Sequence, residues 1–216
     1  MKLLTQNSKL KKTSKKTGYN IFNFGITAIK TCPSALQCIS DCYAQQGAYR
    51  WTPVKNAYAK RYEVTKSNAF IEEMHKAIDS KRTLSHVRIH DSGDFYSREY
   101  LNKWIDIMYN NPHITFYAYT KEVELFKAYE AILPDNFIYI FSFGGKHDAL
   151  IDKENDRHAM VFESLDDMPN RYINASENDL NAITGNLNVG LIYHGQSKIK
   201  GFKKVVSDFF KQEVTA

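Results

Sequence analysis

The sequence predicts an α/β fold, a partial (β/α)6 barrel with parallel strands and a cysteine-bearing loop after strand one. Three observations predict it. Six short runs are rich in β-branched and aromatic residues. Between them, apolar residues recur at helical spacing. The polar and glycine-rich tips all follow strands, so they collect at one rim, where parallel α/β folds carry their chemistry. Strand–helix alternation of this kind builds a parallel sheet with helices outside it.

In chain order, strands are expected at 20–29, 86–92, 114–120, 137–143, 158–164 and 189–195. The helical stripes are Phe70, Ile71, Met74 and Ile78; Leu101, Trp104, Ile105 and Met108; and Leu125, Phe126, Tyr129 and Leu133. A last stripe of Phe202, Val205, Val206, Phe209 and Phe210 follows the sixth strand. Pro112 and Pro134 stand where two of these helices must stop. Residues 144–157 are too polar to assign. No G-x-G-x-x-G and no P-loop follows any strand.

The chain of 216 residues can bury a sizeable core, and 43% hydrophobic and 13% aromatic content are those of a folded protein. Residues 19–216 are expected to form a single β/α partial-barrel domain. Residues 1–18 are expected to be a basic, flexible arm. The charge of +5 is uneven: residues 1–40 hold seven lysines and no acid, and the remaining 22 basic and 24 acidic residues leave the body at −2. Such an arm suits nucleic-acid phosphates or simple solvation. Apolar runs no longer than a strand exclude a membrane span, and the N-terminus lacks the apolar core of a signal peptide. A cytoplasmic, reducing location is expected, with no membrane partner.

All three cysteines, Cys32, Cys38 and Cys42, lie in "KTCPSALQCISDCYAQQG". In a reducing compartment a cluster of thiols points to metal or catalysis rather than a disulfide. Zinc would need a fourth ligand, such as His90, because no histidine lies within the loop. Inert buried thiols are the bland alternative. An iron–sulfur cubane held by three cysteines leaves one iron without a protein ligand, open to a small molecule.

A three-cysteine loop after the first strand of such a partial barrel resembles the radical S-adenosylmethionine enzymes. The pattern "TCP…C…CYA" followed by "SGDF" also resembles a group of small phage-encoded proteins. The family spacing C-x3-C-x2-C is C-x5-C-x3-C here. The resemblance implies a [4Fe-4S] cluster on Cys32, Cys38 and Cys42 that binds and reductively cleaves S-adenosylmethionine to a 5′-deoxyadenosyl radical. It implies an external flavodoxin- or ferredoxin-like electron donor. It implies cofactor contacts from Ser92, Gly93 and Asp94, in the place of the family's Gly-Gly-Glu-like motif, and from Tyr43, although the family's aromatic precedes the third cysteine.

Around that centre, Arg88 and His90 alternate with Val87 and Ile89 and should point into the barrel, where a charge needs a partner. Tyr117 and Tyr119 share one face of the third strand; Tyr119, Ser142 and His194 are further candidate cofactor contacts. Asp91 and Asp94 with His90 are a weaker candidate metal group. The substrate, nucleic acid among the possibilities, would be met by the barrel mouth, the arm and residues 144–157. Two rival readings stand beside this one: a nucleic-acid-binding or phage–host interaction module stapled by zinc or an Fe–S cluster, and a non-radical reaction of S-adenosylmethionine.

Overall fold

The computed structural model describes residues 1–195 and 199–214. Seven parallel strands form one curled sheet, a half-barrel. They are β1 (Asn20–Phe24), β2 (Leu84–Ile89), β3 (Thr115–Thr120), β4 (Phe137–Ser142), β5 (His158–Phe162), β6 (Ile173–Asn174) and β7 (Asn188–Ile192), in the order β1-β2-β3-β4-β5-β7-β6. The strands are shorter than the apolar runs, and β6 raises the count from six to seven. With two residues, β6 is too short to leave a pattern in the sequence.

The helices are α1 (Ser8–Thr17), α2 (Thr52–Thr65), α3 (Ala69–Asp79), α4 (Arg98–Tyr109), α5 (Val123–Tyr129) and α6 (Gly201–Val214). The four expected stripes became α3 to α6. The α2 segment carries no clear stripe, because only Arg61 and Thr65 of it are buried. No α-helix follows β4 or β5; residues 144–157 hold a single 3₁₀ turn, Asp148–Leu150. The β/α alternation is thus complete only in the first half of the sheet.

Side chains alternate between two cores. On the helix-covered face, Phe24, Val87, Ile89, Phe116 and Phe141 pack with Phe70, Met74, Trp104 and Phe126. Each large side chain buried this way contributes about 1.5–3 kcal/mol. On the inner face, Ile21, Tyr117, Ile140, Ala159 and Val189 are closed over by Leu10 of α1 and by Leu180 and Ile183 around the turn Asp179–Ala182.

The N-terminal segment is therefore not a flexible arm. Leu3, Leu4 and Leu10 are buried, and Thr5 exchanges two backbone hydrogen bonds with Asn23, at 2.9 and 2.7 Å. Asn7 caps α1 by accepting the Leu10 N–H at 2.9 Å, and Gly18 ends it at φ 79°. Lys9 reaches the buried carboxylate of Asp179 at 2.7 Å. Lys11, Lys12, Lys15 and Lys16 are exposed on this helix.

Candidate functional site

The cysteine loop leaves the C-terminal end of β1 and is stitched to four neighbouring segments of that rim. Ile26 and Ser92 bond through the Ile26 N–H and the Ser92 carbonyl at 2.9 Å, and the Ser92 hydroxyl donates to the Ile26 carbonyl at 2.9 Å. The Asp94 N–H donates to the Thr31 carbonyl at 3.0 Å. Gly93 sits at φ 88°, and a Cβ there would lie 2.5 Å from Ile26 Cγ1 and 2.6 Å from Thr31 Oγ1, so this position needs glycine for both backbone and space. Ser34 donates its N–H and hydroxyl to the two oxygens of Glu122, at 3.0 and 2.8 Å.

After β4, the Gly144 carbonyl accepts the N–H groups of Leu36 and Cys38 at 3.2 and 3.3 Å. The Asp148 carboxylate holds that turn by accepting the N–H groups of Gly144 and Gly145 at 2.7 and 2.9 Å. The close approach that Gly144 and Gly145 permit is thus to the cysteine loop itself. Finally, Asp41 accepts from the N–H groups of Lys200 and Phe202 at 3.0 and 2.8 Å, fixing the loop to the N-terminus of α6.

Held in this frame, all three cysteines are free and half-buried. Burial first, and then the Asp94 carboxylate, push the Cys32 thiol up to about 12, and Cys38 and Cys42 add to the rise. Burial also raises Cys42, while the Lys121 ammonium pulls it slightly back. Cys32 and Cys42 are therefore protonated near neutral pH. A bound metal ion reverses that, because it favours the thiolate. In number, kind and rim position the three thiols fit an iron–sulfur cluster. Among the described residues, however, no three His, Cys, Asp or Glu side chains are gathered to hold a metal ion.

The residues expected around this loop have separate fates. Arg88 points to the inner face as the alternation predicts, but its partner is protein: its guanidinium meets Asp179 at 3.1 Å and stands over the Tyr119 ring at 5.2 Å. Tyr117 also donates to Asp179. Burial alone would raise Asp179; the Arg88 and Lys9 cations outweigh it and hold the carboxylate below its ordinary range. Arg88 Nε and Tyr119 Oη are buried without a hydrogen-bond partner among the described residues, so the inner face retains two unanswered donors.

His90 is corrected. Its φ of 64° breaks the alternation of β2, and the imidazole turns into the helix-side core, against Phe95 and 2.9 Å from the Tyr100 hydroxyl. Burial lowers it to about 3, so it is a neutral core residue. It is neither a fourth ligand for zinc nor a group aimed at a cofactor.

Asp94 sits at the rim beside Cys32, but its carboxylate is engaged. Oδ1 accepts from Thr120 Oγ1 at 2.7 Å and the Phe95 N–H at 2.8 Å, and Oδ2 from the Lys121 N–H at 2.8 Å. Ser142 accepts from the Lys121 ammonium at 2.8 Å. Tyr43 donates its hydroxyl to the Asp91 carbonyl, while 47% of the residue stays exposed. Asp91 is buried and takes the Tyr58 hydroxyl at 2.8 Å, which makes it a structural carboxylate. His194 is exposed just past β7. Glu163 pairs with Lys203 at 3.1 Å on the surface.

Sequence reasoning missed Asp179, Glu122 and Asp41. Each earns its place through a partner at least 88 positions away, and no local pattern signals that.

No helix among the described residues is long and apolar enough to cross a membrane. No curated protein and no solved structure matches the chain. The family described as GP88, Gene product 88, matches residues 1–210, and the chain belongs to that family.

Proposed function

We propose that this chain is a small radical S-adenosylmethionine-type enzyme working in the cytoplasm. Cys32, Cys38 and Cys42 would hold a [4Fe-4S] cluster, reduced by a flavodoxin- or ferredoxin-like donor. When bound, the cluster supplies one electron to cleave S-adenosylmethionine to methionine and a 5′-deoxyadenosyl radical. One observation carries this reading: three free, half-buried thiols stand on one loop at the C-terminal rim of a parallel half-barrel, clamped by four neighbouring segments. Tyr43 at the loop, and the unanswered donors of Arg88 and Tyr119 on the inner face, are the groups to receive a polar cofactor.

A second reading has its own support. The Asp94 carboxylate, which the resemblance assigns to a cofactor contact, already accepts three hydrogen bonds from the protein. A metal-stapled binding module needs no such anchor.

Anaerobic reconstitution with iron and sulfide, then dithionite and S-adenosylmethionine, separates the two. The radical reading expects 5′-deoxyadenosine from the parent and none from Cys38→Ala. A cluster-loaded protein that forms no 5′-deoxyadenosine would leave the binding module standing.

A further inference from the structure

A cavity of about 590 Å³ opens between residues 27–30, residues 44–45, residues 49–50 and α2. Its lining includes Lys30, Arg50 and Lys55 and no acid. All three cations are exposed, and none forms an ion pair among the described residues. Cations concentrated in a concave site without a protein carboxylate attract an anion.

Two wall residues, Tyr49 and Tyr58, stand edge to face at 5.6 Å, and Tyr58 is pinned to Asp91. At the lip, Ile29 is held at φ 65°, a conformation that a β-branched residue adopts only where its surroundings impose it.

Aromatic residues accompany the charge. Residues 43–62 contain no acid; Arg50, Lys55 and Lys60 are exposed there together with Tyr43 and Trp51, while Arg61 is buried. Trp51 follows Arg50 directly and is 66% exposed. Interleaved cations and open aromatic faces are what a single strand needs: charge for the phosphates, a flat ring for each unstacked base. A duplex keeps its bases paired and offers Trp51 no face to stack on.

We propose that this pocket binds single-stranded nucleic acid, with phosphates on Lys30, Arg50 and Lys55 and a base on Trp51. The inference concerns binding alone and does not rest on the cofactor reading, so its test contains neither iron nor S-adenosylmethionine.

The full chain is titrated with a short oligothymidylate. Of the two tryptophans, Trp104 is fully buried, so saturable quenching of tryptophan fluorescence reports Trp51. Polarisation of a labelled strand gives the affinity of each variant. The combined Lys30→Gln, Arg50→Gln and Lys55→Gln protein should lose about two units of the log–log salt slope, at about 0.7 per phosphate contact. Trp51→Ala should bind at least about fivefold more weakly. These side chains are exposed, and circular dichroism should match the parent. Substituting Lys11, Lys12, Lys15 and Lys16 of α1 by Gln should leave binding by the pocket intact.

Binding that survives the triple substitution, or that follows the α1 lysines instead, overturns the assignment. So does thymidine monophosphate binding as tightly as the strand, which would make the cavity a free-nucleotide site. No change in either signal also overturns it.

Discussion

The guanidinium of Arg88 and the carboxylate of Asp179 meet at 3.1 Å on the inner face of the sheet, 91 residues apart in the chain. Lys9 and Tyr117 complete the contact, so α1, β2, β3 and the turn at Asp179–Ala182 converge on one fully buried carboxylate. A buried ion pair adds little against a well-packed apolar substitute, but breaking one side leaves the other charge stranded.

Asp179→Ala strands two cations and should cost about 3–5 kcal/mol in urea unfolding at pH 7. Lys9→Met should cost less, because Arg88 and Tyr117 still satisfy the carboxylate. Folding lowers the Asp179 pKa, so its contribution is present above the unfolded value near 3.9 and is lost as pH falls through the folded one. The gap between parent and Asp179→Ala should therefore narrow below about pH 4. A gap that stays constant into acid would show that the carboxylate is not held ionised by these cations.

The same contact shows what the sequence displays and what it conceals. Arg88 was legible as inward-facing because strand alternation is a period of two, with Val87 and Ile89 on the opposite face. The alternation fails one residue later, because the left-handed backbone of His90 has no sequence mark. The lysine-rich start read as a tail because, after Met1, only Leu3, Leu4 and Leu10 are apolar there; their burial depends on a docking site built from β1 and the inner core. Its caps, Asn7 and Gly18, are residue types that loops use as readily. The cysteine loop was legible from spacing alone. Its clamps were not, because each is a pairing across the rim.

Asp41 and Gly201 make α6 a dependent of the cysteine loop. The Asp41 carboxylate caps the helix, and a Cβ at Gly201 would stand 2.0 Å from the Gln37 carbonyl oxygen and 2.7 Å from Ser40 Oγ. Asp41→Ala should cost about 1–2 kcal/mol through the lost cap. Gly201→Ala must push the helix off the loop, since a backbone oxygen cannot move aside cheaply. Both should speed amide exchange through residues 201–210 and raise the reactivity of the half-buried Cys38 with a thiol reagent. Faster exchange in α6 with unchanged Cys38 reactivity would mean that the loop keeps its shape without the helix.

Glu122 ties the same loop to the end of β3 and carries a pH dependence of definite sign. It is 7% exposed, and burial first, then the neighbouring Asp94, push it up to about 7; the two bonds from Ser34 recover only part of the shift. An unfolded glutamate titrates near 4.3, so between these values the folded chain holds a proton that the unfolded chain has released. The stability that this proton confers is complete below about pH 4.3 and is lost as pH rises through 7, by up to about 3–4 kcal/mol. Glu122→Gln keeps an oxygen for the Ser34 N–H and never acquires the charge. It should match the parent near pH 4.5 and exceed it by about 3 kcal/mol at pH 8, read as urea midpoints across that range. Equal midpoints at pH 8 would place the glutamate in ordinary solvent contact, with its charge costing the fold nothing.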